Sequence, residues 1–158
     1  MTLTESLLRK LSDWRPAGAG RHSWAESFPG QGWLVRLSAD RADSLACLVW
    51  ELALTRTQEP PAELTLKGWA EAIAARVGGL MEPLVVYEVD ETRGEAILRS
   101  KLPTQKGDAL SYYEVHLAGL NSAVARRFAA SQSVPGRTQA AFALTHESLA
   151  RLAGDIAG

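Results

Sequence analysis

The stretch S-Y-Y-E-V-H-L-A-G-L-N-S-A-V-A-R-R-F-A-A, Ser111 to Ala130, holds two alternating runs around Gly119-Leu120-Asn121. In the first run Tyr113, Val115 and Leu117 alternate with Tyr112, Glu114 and His116. Side chains in a strand point to opposite faces in turn, so the apolar set faces a core and the polar set faces away. Two such runs joined by a short turn make an antiparallel hairpin. With Leu120-Asn121 as a two-residue turn, Glu114 stands opposite Arg127, His116 opposite Ala125 and Tyr112 opposite Ala129. Arg126 then falls between Val124 and Phe128 on the face that should be buried. A guanidinium there needs a bulge, an edge position or an acidic partner, because an unpaired buried charge is costly.

The same pattern runs outward in both directions. Upstream, L-V-V-Y-E-V (84–89) and A-I-L-R-S (96–100) flank D-E-T-R-G as a second hairpin, and L-P-T-Q-K-G-D (102–108) reads as a loop. Downstream, T-Q-A-A-F-A-L (138–144) reads as one more strand. In the first half, R-H-S-W-A-E-S-F (21–28), W-L-V-R-L-S (33–38) and L-A-C-L-V-W-E-L-A-L (45–54) are three further strands, with P-G-Q-G and A-D-R-A-D as turns. Trp33, Val35 and Leu37 share a face; Leu48, Trp50, Leu52 and Leu54 share another, with Cys47, Val49 and Glu51 opposite.

Three helices complete the chain. Leu3, Leu7, Leu8 and Leu11 recur at helical spacing behind a Thr2-x-x-Glu5 capping box, and Pro16 with Gly18 and Gly20 ends that segment. Trp69, Ile73 and Val77 form a second stripe, stopped by Gly78-Gly79. Thr145 caps a third, which carries Leu149, Leu152 and Ile156 inward and leaves His146 exposed in its first turn. Strands follow one another without intervening helices, so the pairing is antiparallel. The expected fold is α+β: an antiparallel sheet of about seven to eight strands, with three helices mainly on one face. Glu63 onward and Ala141 onward both run from a short apolar stretch into an Ala-rich helix, so an internal strand–strand–strand–helix duplication is one reading and ordinary amphipathic likeness is the other.

The bulk composition bounds the class. A chain of 158 residues fits one domain and buries roughly 68–70% of its unfolded surface, enough to need no metal or disulfide. Cys47 is the only cysteine, which excludes an intrachain disulfide framework and suits a cytoplasmic protein. Seventeen Lys and Arg against eighteen Asp and Glu leave a net charge of −1, which argues against nucleic acid. No apolar run reaches the ~18 residues of a membrane span, and the N-terminal segment mixes charges among its leucines unlike a signal peptide.

Chemistry is sparse. His22, His116 and His146 are far apart and have no metal-ligand spacing, and R-P-A-G-A-G-R-H-S (15–23) follows a helix and lacks the ending of a phosphate loop. Cys47 reads as a small buried hydrophobe. No cofactor is expected, and whether the chain is an enzyme stays open. Tyr112, Glu114 and His116, with Arg126 and Arg127, are the candidate ligand-binding residues. The other reading of that row is a solvated strand face with a Glu114–Arg127 cross-strand ion pair. His22, Trp24 and Phe28 form a mixed aromatic and polar row suited to a partner interface; the alternative is packing of Trp24 under the first helix. Leu84/Val86 and Val85/Tyr87 put apolar residues on both faces of one strand. A sheet covered on one side only would leave the second set exposed, which dimerisation or a further helical layer would cover.

The order helix–three strands–helix–strands–helix resembles the small secretion-chaperone-like α+β fold, whose dimers hold unfolded effector segments. The resemblance covers element order only; the second half has more strands, and the near-neutral charge departs from the acidic character usual in that family. The leading expectation is a non-catalytic protein-binding, adaptor or chaperone-like protein, with a homodimer as one form. The alternative is a small-molecule- or anion-binding domain or enzyme built on the Tyr–Glu–His–Arg surface.

Overall fold

The computed structural model describes residues 1–43 and 45–158. In chain order the described elements are α1 (Leu3–Asp13), β1 (His22–Phe28), β2 (Trp33–Ala42), β3 (Ala46–Arg56), α2 (Leu66–Arg76), β4 (Leu84–Asp90), β5 (Glu95–Ser100), β6 (Thr104–Lys106), β7 (Ala109–Ala118), β8 (Ser122–Ser131), β9 (Arg137–Ala140), β10 (Phe142–Thr145) and α3 (His146–Ala157). All pairings are antiparallel, in the order β1-β2-β3-β8-β7-β5-β4. The α+β reading therefore holds. The strand number rises to ten because the stretch expected to be a loop contains β6, and the strand expected over 138–144 divides at Ala141 into β9 and β10.

That division has a structural reason. β3 and β8 pair only from Leu52–Thr55 to Ser122–Ala125. Beyond that point β9 pairs with β8 and β10 pairs with β3, so one chain segment occupies the fork between them. The two halves are not copies: three long strands precede α2, whereas four long strands and three short ones precede α3.

Each helix starts where its capping residue places it. Thr2 and Glu5 form the reciprocal capping box of α1, and Thr65 and Thr145 accept backbone N–H bonds at the starts of α2 and α3. Leu7, Ile73 and Leu149 of the three helices share one core cluster with Val35, Leu52, Ala125, Val115 and Leu98 of the sheet. These strand residues alternate along each strand, so the helices cover one face and the other face lies uncovered. Trp33 and Trp69 are buried in this core as expected.

Four local expectations change. β2 runs on through Ala42, so of the A-D-R-A-D segment only Asp43 lies outside the strand, and its carboxylate accepts N–H bonds from Leu45 and Ala46. In β3 the register shifts between Ser38/Glu51 and Ala39/Val49, so Trp50 is an extra residue in the ladder. Cys47 and Val49 therefore share the buried face with Leu52 and Leu54, while Trp50 turns outward and sits half-buried under Arg21. In the β7–β8 hairpin the closing pair is Ala118–Ser122, which makes the loop three residues long with Gly119 at φ 57°. That one-residue change places Glu114 opposite Arg126, His116 opposite Val124 and Tyr112 opposite Phe128. Finally, His146 is buried rather than exposed, because the β10–α3 junction packs against β3.

α1 and α3 pack against each other, and a Cβ added at Gly154 would collide with the Thr4 side chain. Gly154→Ala is expected to destabilise the fold by about 1–3 kcal/mol through overpacking. Thr4→Ala in the same chain should restore most of the loss in a thermal unfolding experiment, and failure to restore it would place the cost elsewhere.

Candidate functional site

The uncovered face collects four of the five candidate ligand-binding residues, Tyr112, Glu114, His116 and Arg126. From β7 it receives Tyr112, Glu114 and His116; from β8, Val124, Arg126 and Phe128; from β5, Ile97 and Arg99. Glu51 and Ala53 of β3, Arg36 and Ser38 of β2, and Val85 of β4 extend it to both sides. Tyr87 is the extra residue of a bulge in β4 and stands 56% exposed.

Glu114 is the anchor of this face. It is 5% exposed, yet it is held by charge from two sides. Arg99 Nε donates to Oε1 at 3.0 Å, and Arg137 donates to both oxygens at 3.1 and 3.2 Å. Arg137 Nη1 also donates to the Tyr112 hydroxyl at 3.1 Å. These charge-assisted bonds fix the Glu114 carboxylate in place between the two arginines. His116, on the same face, meets Glu95 at 3.6 Å. The structure thus brings Tyr112 and Glu114 together and leaves His116 in a separate pair.

Arg126 and Arg127 exchange the places expected of them. Arg126 lies on the uncovered face and pairs with Glu51 at 3.0 Å. Arg127 is the arginine on the core face, opposite Tyr113, and its acidic partner is Glu82 rather than Glu114. It donates to Glu82 Oε2 at 2.9 Å and to Oε1 at 3.3 Å, with its guanidinium 4.2 Å from the centre of the Tyr113 ring. Ser100 and Thr104 also donate to Glu82, and the Tyr113 N–H donates to Ser100 Oγ at 2.8 Å. Burial alone would raise the Glu82 pKa, but the bonds from Arg127, Ser100 and Thr104 outweigh it and hold the carboxyl below its ordinary value. This network ties the segment before β4 to β5, β6, β7 and β8.

Guanidinium groups on the open face lie over aromatic rings. Arg137 sits 3.7 Å from the Phe128 centroid, Arg99 sits 4.1 Å from Tyr87, and Arg21 sits 4.1 Å from Trp50. Arg36 is exposed, beside an open recess of about 340 Å³ lined in part by Ser23, Ala25, Ser38 and Glu51. Sequence reasoning missed Arg99, Arg137 and Arg36. Arg99 was legible from its alternation with Ile97, whereas Arg137 reaches Glu114 only because β9 folds back onto β8.

The other candidate row lies on the covered face. Trp24 stands opposite Leu37 and packs against Trp14 at 6.4 Å between ring centres, and Phe28 is buried. His22 Nε2 lies 3.2 Å from the Gly18 carbonyl, and Lys10 of α1 pairs with Glu26 at 3.5 Å. Burial pushes the Cys47 thiol up to about 11, so it stays protonated at neutral pH. Among the described residues no group of three or more His, Cys, Asp and Glu side chains is placed to hold a metal ion, and no helix is long and apolar enough to cross a membrane. Comparison with known proteins finds no matching family model, no matching curated protein and no matching solved structure.

Proposed function

We propose that this chain is a non-catalytic protein-binding or adaptor protein, and that its docking surface is the helix-free face of the sheet. One observation carries the reading: all three helices pack on one side, leaving the opposite side of a sheet seven strands wide uncovered. That side exposes Tyr87 and Val85 (38% exposed) beside half-buried Ile97, Val124 and Phe128. A contiguous surface of this kind, mixing apolar and aromatic residues with arginine, suits a protein interface. The engagement of Glu114 by two arginines and the raised thiol of Cys47 favour binding over catalysis. A lone, buried cysteine suits a reducing, cytoplasmic setting.

The test is capture from native cell lysate followed by chemical cross-linking, using the tagged chain and two variants. Val85→Glu/Tyr87→Glu alters the open face; Trp24→Ala alters the helix side. A partner that cross-links to the open face, drops about tenfold with the first variant and persists with the second is the expected result. A partner unaffected by the first variant, or no cross-link on that face, overturns the proposal.

A further inference from the structure

We infer that the partner segment taken by the open face is an acidic, extended polypeptide. The inference rests on the docking surface proposed above and adds the chemistry of its occupant. The whole chain carries a net charge of −1, but the middle of this face does not share that balance. Arg36, Arg99, Arg126 and Arg137 stand there against Glu51 and Glu114 alone. Glu114 receives two guanidinium groups and can neutralise only one, and exposed Arg36 adds another positive charge. Glu88, Asp90 and Glu95 lie on the same face toward the β4–β5 turn beside Arg93, with Glu88 opposite Ile97, so the positive balance is confined to the region of Arg36, Arg126 and the two arginines on Glu114. Positive surface of this kind steers and selects carboxylate-bearing partners.

Geometry narrows the class further. A guanidinium lying flat on a ring keeps its in-plane N–H groups pointing sideways, where a carboxylate can take them in a bidentate fork. Arg99 beside Tyr87 and Arg137 beside Phe128 already give such N–H groups to Glu114, Arg137 from both Nη atoms and Arg99 from Nε, so the exposed Arg36 is the guanidinium presented to a partner's carboxylate. The same stacking disfavours single-stranded RNA, which binds such sheets by laying its bases on open aromatic faces. Here those faces are already covered by arginine. Between the charges, Val85, Ile97, Ala53 and Val124 offer small apolar contacts that suit alternate side chains of an extended chain. Seven strands about 4.8 Å apart make the face roughly 30 Å wide, which about nine extended residues cross at ~3.3 Å each.

The experiment is an array of synthetic peptides, each about ten residues long. Leu, Val and Tyr stand at alternate positions, and the intervening positions are varied among Asp/Glu, Lys/Arg and Ser/Asn. The best binders are then measured in solution by fluorescence anisotropy at low and high salt, beside an oligouridine of matched length. Enrichment of Asp/Glu peptides is expected, with binding weakened at least about tenfold by high salt and by Arg36→Glu, and weakened also by Arg137→Gln, which leaves Glu114 its Arg99 partner. Circular dichroism confirms that both variants stay folded. Enrichment of basic or neutral peptides, or preference for oligouridine, overturns the inference. If acidic peptides fail while the lysate partner still cross-links to this face, the occupant's chemistry is wrong and the docking surface stands. If both fail, the surface itself is wrong.

Discussion

Glu82→Ala is expected to destabilise the fold by about 3–5 kcal/mol, the range for removing one partner of a buried ion pair. Glu82 is 5% exposed and is the acidic partner of Arg127, whose guanidinium lies on the core face against Tyr113. Without the carboxylate that charge stays in a low-dielectric site, and the Ser100 and Thr104 hydroxyls lose their acceptor. Chemical denaturation measures the loss. The double variant Glu82→Leu/Arg127→Met is expected to be more stable than Glu82→Ala, since an apolar pair leaves no orphaned charge. A loss below about 1 kcal/mol for Glu82→Ala would show that Arg127 escapes to solvent.

The same carboxyl sets part of the acid response. Its folded pKa lies below the ordinary 4.5, so its contribution is complete above that value and is lost as pH falls through the folded pKa. His146 acts in an earlier window. Burial, and then the charge of Arg15, lower its pKa from 6.5, so the unfolded chain takes up that proton first. Stability therefore declines as pH falls below about 6.5 through the folded His146 value, and declines again below 4.5 as Glu82 protonates. In a pH series of unfolding midpoints, Glu82→Ala should shrink the second decline, leaving the part carried by Asp43 and Asp108, whose carboxyls are also lowered, and keep the first.

The second large effect is expected at Trp69. Its indole is 2% exposed, packs on Trp33 with ring centres 6.1 Å apart, and donates from Nε1 to the Ile156 carbonyl at 3.0 Å. One side chain thus joins α2, β2 and the end of α3. Trp69→Ala should cost about 3–5 kcal/mol, from lost apolar burial plus the cavity left behind. Trp69→Phe keeps most of the ring volume and leaves the Ile156 carbonyl without its donor, a loss nearer 1–3 kcal/mol. Thermal unfolding followed by near-ultraviolet circular dichroism separates the two, and equal losses would place the energy in the hydrogen bond alone.

The candidate site was only partly readable before folding. Alternation along Ser111–Leu117 identified Tyr112, Glu114 and His116 as one face, and they share one. It also placed one arginine of β8 on the buried face, where a bulge, an edge position or an acidic partner was needed. It named Arg126, because a two-residue turn was assumed, and the three-residue loop at Gly119–Asn121 moved the role to Arg127. A slip of one residue exchanges the two faces of a strand, so an error confined to the turn altered every cross-strand partner. Glu82 carried no signal at all: it is one glutamate in a short linker before Pro83, and only the approach of β8 makes it an ion-pair partner.

By itself the sequence determined the three helices and most of the long strands with their apolar stripes, because helical and strand periods are local properties carried by residues a few positions apart. Thr2 with Glu5 begins α1, and Trp33, Val35 and Leu37 line the core, whatever the rest of the chain does. Only the tertiary structure decided which charges meet. The bulge at Trp50, the loop at Gly119 and the wedge of β9 and β10 between β3 and β8 set those pairings. Register depends on loop geometry and on packing between segments as far apart as Glu51 and Arg126, and an ion pair forms only where that register brings its two ends within reach.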